Sequence, residues 1–186
     1  MTTRTWESLQ IPTPGTFVLD AAHTRIGFVV KHMMVSKVRG HFDEFSGSVT
    51  IAENPLESSA ELTIKTASIS TGAPDRDGHL RSDDFLAAEK FPELTFRSTR
   101  VVGHSGDTFT VLGDLTVRDV TKPVELTVEY GGAGTNPWGQ ELWGFSISAE
   151  IDREEFGLTW NQALETGGVL VGKKVKIEIE GEANRA

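Results

Sequence analysis

Cysteine is absent from the 186 residues, which removes thiol nucleophiles, thiolate metal sites and disulfides together. No stretch of about 18 apolar residues occurs, so no segment reads as a membrane-spanning helix. Met1 to Glu7 contain no apolar run of the kind that makes a secretion leader. As written, the chain is expected to be cytoplasmic, and periplasmic or secreted if a leader was removed upstream. Positive charge is short: 18 Lys and Arg against 27 Asp and Glu give a formal net charge of −9. That balance argues against a nucleic-acid partner and against a polybasic membrane anchor.

The spacings that carry catalysis are missing as well. There is no G-x-S-x-G elbow, no P-loop, no dinucleotide fingerprint and no HExxH. The glycines from Gly131 to Gly134 lack the following helix of a phosphate loop, so Gly131 to Pro137 reads as a flexible loop. Among the five histidines, His23, His32 and His41 are spaced nine apart without a converging third or fourth ligand. We expect no metal, no cofactor and no enzymatic activity.

What the chain does have is two-residue alternation, the pattern of strands with one buried face. Val175, Ile177 and Ile179 alternate with Lys174, Lys176, Glu178 and Glu180. Val124, Leu126, Val128 and Tyr130 do the same with Glu125, Thr127 and Glu129, and Phe145, Ile147, Ala149 and Ile151 with Ser146, Ser148 and Glu150. Weaker runs centre on Phe17, Phe28, Val49, Leu62, Leu94 and Phe109, for about nine strands in all. The segment Arg118 to Pro123 reads as a turn whose proline opens the next strand, where a missing N–H matters least. Antiparallel strands with one apolar face and no alternating helices indicate a sandwich or barrel, and closure into a barrel removes the exposed edges.

Three segments break the pattern. Lys31 to Lys37 is compatible with one helical turn. Asp75 to Lys90 reads as helix or loop, with Ser82 able to cap a short helix that Pro92 prevents from passing Phe91. Phe156 to Gly172 is a long apolar excursion.

The inward parity supplies candidate lumen residues: Phe28, Val30, Phe42, Leu62, Ile64, Leu94, Phe96, Phe109, Leu115, Val117, Leu126, Phe145, Ile147 and Ile177. The irregular segments add Met33, Met34, Leu80, Phe85, Phe91, Phe156, Trp160 and Leu170. An eight-stranded barrel is either just filled by its side chains or holds one small ligand, and alternation alone leaves both open. Arg76, His79 and Arg81 are candidates for holding a polar head group. The competing role for this block is an Asp/Arg network, with Asp75, Asp77, Asp83 and Asp84 neutralising the arginines and fixing the segment to the barrel.

The run from Lys31 to Phe42 (KHMMVSKVRGHF) resembles a block of the YceI-like family. So do Asp75 to Phe85 followed by Phe91 and Pro92, Gly113 to Val124, Ile151 to Leu158, and Val175 to Ile179. The resemblance implies an all-β fold: a lipocalin-like, extended eight-stranded antiparallel β-barrel, with a short helix or helices in the connections. It implies one domain over residues 14–186, preceded by an N-terminal arm of residues 1–13. It also implies a tunnel that carries or stores a long-chain amphiphile such as a polyisoprenoid or isoprenoid quinone. The expected partner is therefore a long-chain apolar or amphiphilic small molecule, not nucleic acid, and the pattern leaves room for a homodimer. The other readings are a solid-core barrel acting as a stress-related interaction protein, and an enzyme acting on an amphiphile with His79 or His104 as acid or base.

Overall fold

Where apolar and polar residues alternate, the chain runs as strands, and the outer faces carry the charge. In the computed structural model, which describes residues 3–186, β12 (Glu141–Asp152) and β13 (Val171–Arg185) show the logic. Their inward partners are Ile147 with Ile179, Ala149 with Ile177 and Ile151 with Val175. Between these, Glu150 faces Lys176 and Asp152 faces Lys174 on the outside. Apolar cross-strand pairs and opposite-charge pairs are the two favourable kinds of sheet contact.

The barrel is a meander in chain order. Its first three staves are each two strands in line: β3 (Gly15–Leu19) with β4 (Arg25–His32), β5 (Ser36–Phe42) with β6 (Phe45–Ile51), and β7 (Ser59–Lys65) with β8 (Ile69–Ser70). The remaining staves are β9 (Glu93–Ser105), β10 (Thr108–Val117), β11 (Val120–Thr135), β12 and β13. Every pairing is antiparallel, and β13 closes the ring by pairing with β12 on one side and with β3 and β4 on the other. This is the expected eight-stranded closed barrel, and closure leaves the long strands without a free edge. The three split staves break at one level, tied there by Asp43 N–H to Ser68 O (3.1 Å) and Lys65 N–H to Glu44 O (2.9 Å).

The two ends of the barrel are built differently. At the helix end lie the β4–β5 turn, α1 (Pro74–Arg81) with residues 82–92, the Arg118–Asp119 turn and residues 153–170. At the hairpin end, β1 (Thr3–Trp6) and β2 (Leu9–Pro12) pair with each other and pack against the barrel. The Trp6 ring sits 4.7 Å from His104 and stacks on Phe109, and Tyr130 Oη donates to Gln10 O at 2.6 Å. The N-terminal arm is thus an ordered hairpin from Thr3 onward.

Three local expectations need correcting. Lys31 to Lys37 is the end of a β-hairpin, not a helical turn, and Met33 and Met34 make its bend with φ of 52° and 64°. Ser82 does not start a helix. It follows α1, its hydroxyl donating to His79 O, and Pro74 at the first turn begins the helix. The glycines 131–134 are not loop but the last part of β11, with a bulge between Tyr130 and Gly132. Small residues are needed there because Gly131 approaches the backbone of Gly144 closely. The loop proper is Asn136 to Gln140.

Candidate ligand lumen

The barrel is not filled by its side chains. It encloses a cavity of about 520 Å³, within the roughly 300–1,000 Å³ of small-molecule sites. Of the residues expected to line it, Phe28, Val30, Phe42, Leu62, Ile64 and Leu80 form part of its wall, as do Phe85, Leu94, Phe96, Phe109, Leu115 and Val117. Leu126, Phe145, Ile147, Phe156, Trp160, Leu170 and Ile177 complete the set. Three do not line it. Met33 and Met34 are exposed on the β4–β5 turn, and Phe91 lies half-buried under the Arg118 guanidinium, 5.6 Å from the ring centre.

Two glycines shape the wall. A Cβ at Gly113 would collide with the Phe96 ring, and one at Gly40 with the Phe28 ring. In each case the far edge of the ring fills the space that a Cβ on the neighbouring strand would need. In β9 the inward parity changes between Ser98 and Val101, because a bulge puts Thr99 between the partners of Gly113 and Leu112.

Several wall residues fell outside the expected set. Val111, Val124, Val128, Ile151, Val175 and Ile179 share the parity of residues already chosen, so alternation alone points to them. Ile11 and Pro12 from the N-terminal hairpin also line the cavity, and no periodicity marks them. A small serine group lines it as well. Ser58 Oγ accepts from Ala52 N–H (3.0 Å) and Ser98 Oγ from Ala60 N–H (2.8 Å), so these hydroxyls complete the backbone pairing of β7's start. Trp143 Nε1, buried in the wall, has no acceptor among the described residues.

The basic side chains of the wall gather at the helix end, namely Lys31, His32, Arg76, His79 and Arg153, while Glu61 is the wall's acidic residue, on β7. Lys31 and Arg76 are exposed, so the cavity reaches solvent here, and Ser59 and Glu61 are exposed wall residues on β7. Arg153 is the most deeply placed. Asp152 caps the short 3-10 turn Arg153–Phe156 by accepting from Glu154 N–H, and Gly157 ends the turn with φ of 82°. That turn aims the guanidinium inward, where it is 4% exposed. Nε donates to Gly172 O (2.8 Å), Nη1 to Leu158 O (2.6 Å) and Trp160 O (3.0 Å), and Nη2 to Val171 O (3.2 Å). No carboxylate forms an ion pair with it among the described residues. Burial pushes the Arg153 pKa down against the opposing charges of Glu154 and Asp152, yet an arginine remains protonated in a protein. The result is a cation at the lumen wall whose hydrogen bonds all go to backbone carbonyls, with the Phe85 ring centre 5.9 Å from the guanidinium carbon.

His79 Nε2 lies 2.8 Å from the Asp84 carboxylate, and its ring meets Trp160 and Phe85 edge-on at 4.6 and 5.0 Å. The expected Asp/Arg network is not what holds α1. Arg76 donates to Thr71 Oγ1 and O, Asp77 accepts from Thr71 N–H and Oγ1, and Arg81 donates to Ala67 O. Asp83 pairs with Lys90 instead. Arg81 is therefore a fastener outside the cavity, while Arg76 and His79 stand at its mouth.

The other histidine considered for proton transfer, His104, does not line the cavity. Its Nε2 lies 3.0 Å from Glu7 and its ring stacks on Phe109. On the outer surface, ligand atoms of Asp20, His23 and Glu182 lie within 4.8 Å of one another. Sequence spacing missed this group because Glu182 arrives from the far end of the chain.

A closed eight-stranded antiparallel barrel around a largely apolar lumen is a lipocalin-like architecture. Within that class, the YceI-like domain model matches residues 17–183, and the chain belongs to the YceI-like family. A UPF0312 protein of Staphylococcus aureus strain USA300 is 41% identical over 168 residues, covering 89% of this chain and 95% of that protein. The Campylobacter jejuni YCEI protein superposes with a TM-score of 0.72 at 34% identity, over 90% of this chain and 96% of that one. At 15% identity, a polyisoprenoid binding domain from Saccharophagus degradans shares the fold, with a TM-score of 0.63 over 94% of this chain and all of that one.

Proposed function

We propose that this chain binds one long-chain amphiphilic lipid, a polyisoprenoid, isoprenoid quinone or similar molecule, and carries or stores it in the barrel lumen. The observation that carries the reading is the cavity of about 520 Å³, whose wall is largely apolar and whose basic side chains cluster at the helix end. An apolar tail lies along the strands, and the head group rests at the mouth among Lys31, Arg76, His79 and Arg153. The name of the Saccharophagus degradans relative agrees with such a ligand. The chain is read as a binding protein, with His79 paired to the Asp84 carboxylate at the mouth.

The energetics select for length. Burying about ten methylenes contributes roughly 8 kcal/mol, against an association cost of about 4–15 kcal/mol. Short lipids therefore bind weakly and longer ones usefully. Native mass spectrometry after incubation with prenols of increasing length checks this. Occupancy rising with chain length, to one lipid per chain, is the expected result, and it is lost in a folded Ile147→Asp variant. Equal occupancy in that variant contradicts the lumen assignment.

A further inference from the structure

Met33 and Met34 occupy both central positions of the β4–β5 turn in the left-handed region, at φ of 52° and 64°. Two successive residues of this kind form the tight hairpin turn that Asn-Gly or Gly-Gly supplies with least strain. Bulky side chains are unfavourable there, and burial does not compensate them. Met33 is 44% exposed, Met34 56% and the following Val35 84%. Folding alone gives no reason to place three large apolar side chains at this tip.

Within the hairpin itself the charge is of one sign, although the turn 164–168 beside Met34 carries Glu165. Residues 31–42 include Lys31, Lys37 and Arg39 and no carboxylate, in a chain whose net charge is −9. Arg39 reaches Glu178, but neither Lys31 nor Lys37 forms an ion pair among the described residues. The tip is also the rim of the lumen. Lys31 and His32 line the cavity, and Met33 N–H donates to the carbonyl of another wall residue, Leu170, at 2.8 Å.

We propose that Met33, Met34 and Val35, with Lys31 and Lys37, form a docking surface for an anionic lipid bilayer, and that docking seats the mouth of the lumen on the membrane. Apolar side chains enter the headgroup boundary while lysines meet the anionic lipids. Lysines and apolar side chains stand together at the tip of a chain whose net charge is −9, so the molecule lands tip first. Three side chains fall well short of the 20–30 residues that each partner contributes to a stable dimer, which disfavours a second copy as the occupant. The purpose of docking, passing a lipid between bilayer and lumen without exposing its tail to water, rests on the proposed carrier function.

Vesicle co-sedimentation tests it, using phosphatidylcholine vesicles with and without phosphatidylglycerol at low and high salt. The whole chain is expected to bind the anionic vesicles at low salt. Lys31→Glu with Lys37→Glu weakens binding by roughly thirtyfold or more, at about fivefold for each lysine. Met33→Asn with Met34→Gly weakens it about tenfold or more. This second pair suits the turn geometry, so its melting temperature is at or above that of the parent and misfolding cannot explain the loss. Absence of binding by the parent overturns the proposal, as does undiminished binding by the Asn-Gly pair. Self-association of the parent that this pair abolishes also overturns it. Extracted lipid is measured on the same samples. Vesicle binding without lumenal lipid tells against the carrier reading alone, and lumenal lipid without vesicle binding tells against docking alone.

Discussion

The two ends of the barrel solve closure with opposite chemistry. At the hairpin end, Phe17, Trp143 and Phe145 pack with Ala183, the Phe17 and Trp143 rings meeting edge-on at 6.3 Å. Arg185 fastens this end by pairing with Glu141, donating to Thr13 and Pro14, and lying 4.7 Å over the Phe17 ring. Ile11 and Pro12 finish the plug. At the helix end, Phe156, Leu158 and Phe85 are equally buried, but a guanidinium, an imidazole and strained turns share the space. The polar groups of the hairpin end, Arg185 with Glu141 and His104 with Glu7, pair with one another outside the lumen and serve to keep this end shut. An end that keeps a cation at the lumen wall and left-handed methionines at its rim has given up stability for something else, and a head-group site beside a docking rim is what that arrangement suits.

The sharpest way to break the contrast is at Arg153. Arg153→Met leaves the carbonyls of Leu158, Trp160, Val171 and Gly172 without their donors, and we expect a loss of about 3–5 kcal/mol in urea unfolding. Arg153→Lys restores little, because a lysine lacks the planar fork. A loss below about 1 kcal/mol would show that residues 157–172 do not depend on the guanidinium.

Removing residues 1–12 probes the other end. The ring of eight staves is complete without them, so the barrel still folds, with an expected loss of about 2–4 kcal/mol from the exposed Trp6 and Ile11 contacts. Tyr130 is the only tyrosine, and burial pushes its pKa up to about 12. In the truncated chain the phenolate midpoint moves down toward 10, the ordinary value. An unchanged midpoint would mean that the hairpin does not seal this end.

Phe96→Ala separates a lined lumen from a packed core. In a solid core this truncation costs about 3–5 kcal/mol. Beside an existing cavity the ring has fewer contacts to lose, and we expect less than about 2 kcal/mol by thermal or urea unfolding.

The smallest effect lies on the outer surface. The hydrogen bond with His23 lowers the Asp20 pKa, and the same bond raises that of His23. The histidine's contribution is complete below its ordinary 6.5 and fades as pH rises through the raised value. The aspartate's is complete above 3.8 and fades as pH falls through the lowered one. Thermal midpoints of parent and His23→Ala should therefore differ more at pH 5 than at pH 8. A difference that grows toward pH 8 contradicts the pairing.

Much of the barrel was legible because alternation is enforced by burial on one face: Val175 to Ile179 and Phe145 to Ile151 read directly as inward stripes. What alternation does not encode is where the chain departs from it. The methionine turn looked helical because left-handed φ at Met33 and Met34 defies residue preference. The glycine run of β11 looked like loop because its role is close approach to Gly144, not flexibility. Ile11, Pro12 and Arg153 reach the lumen through tertiary placement, and a single arginine before a short turn carries no periodic mark. Arg81 shared a polar block with Arg76 and His79, yet an eight-residue helix turns it away from the cavity.

The central claim is that the lumen holds one long amphiphile, and the direct measurement is native mass of the purified, folded protein together with mass spectrometry of its organic extract. The account predicts a stoichiometric long-chain isoprenoid, quinone or similar lipid, one per chain, that reloads after delipidation. A clean protein mass, unchanged by incubation with such lipids, would contradict it.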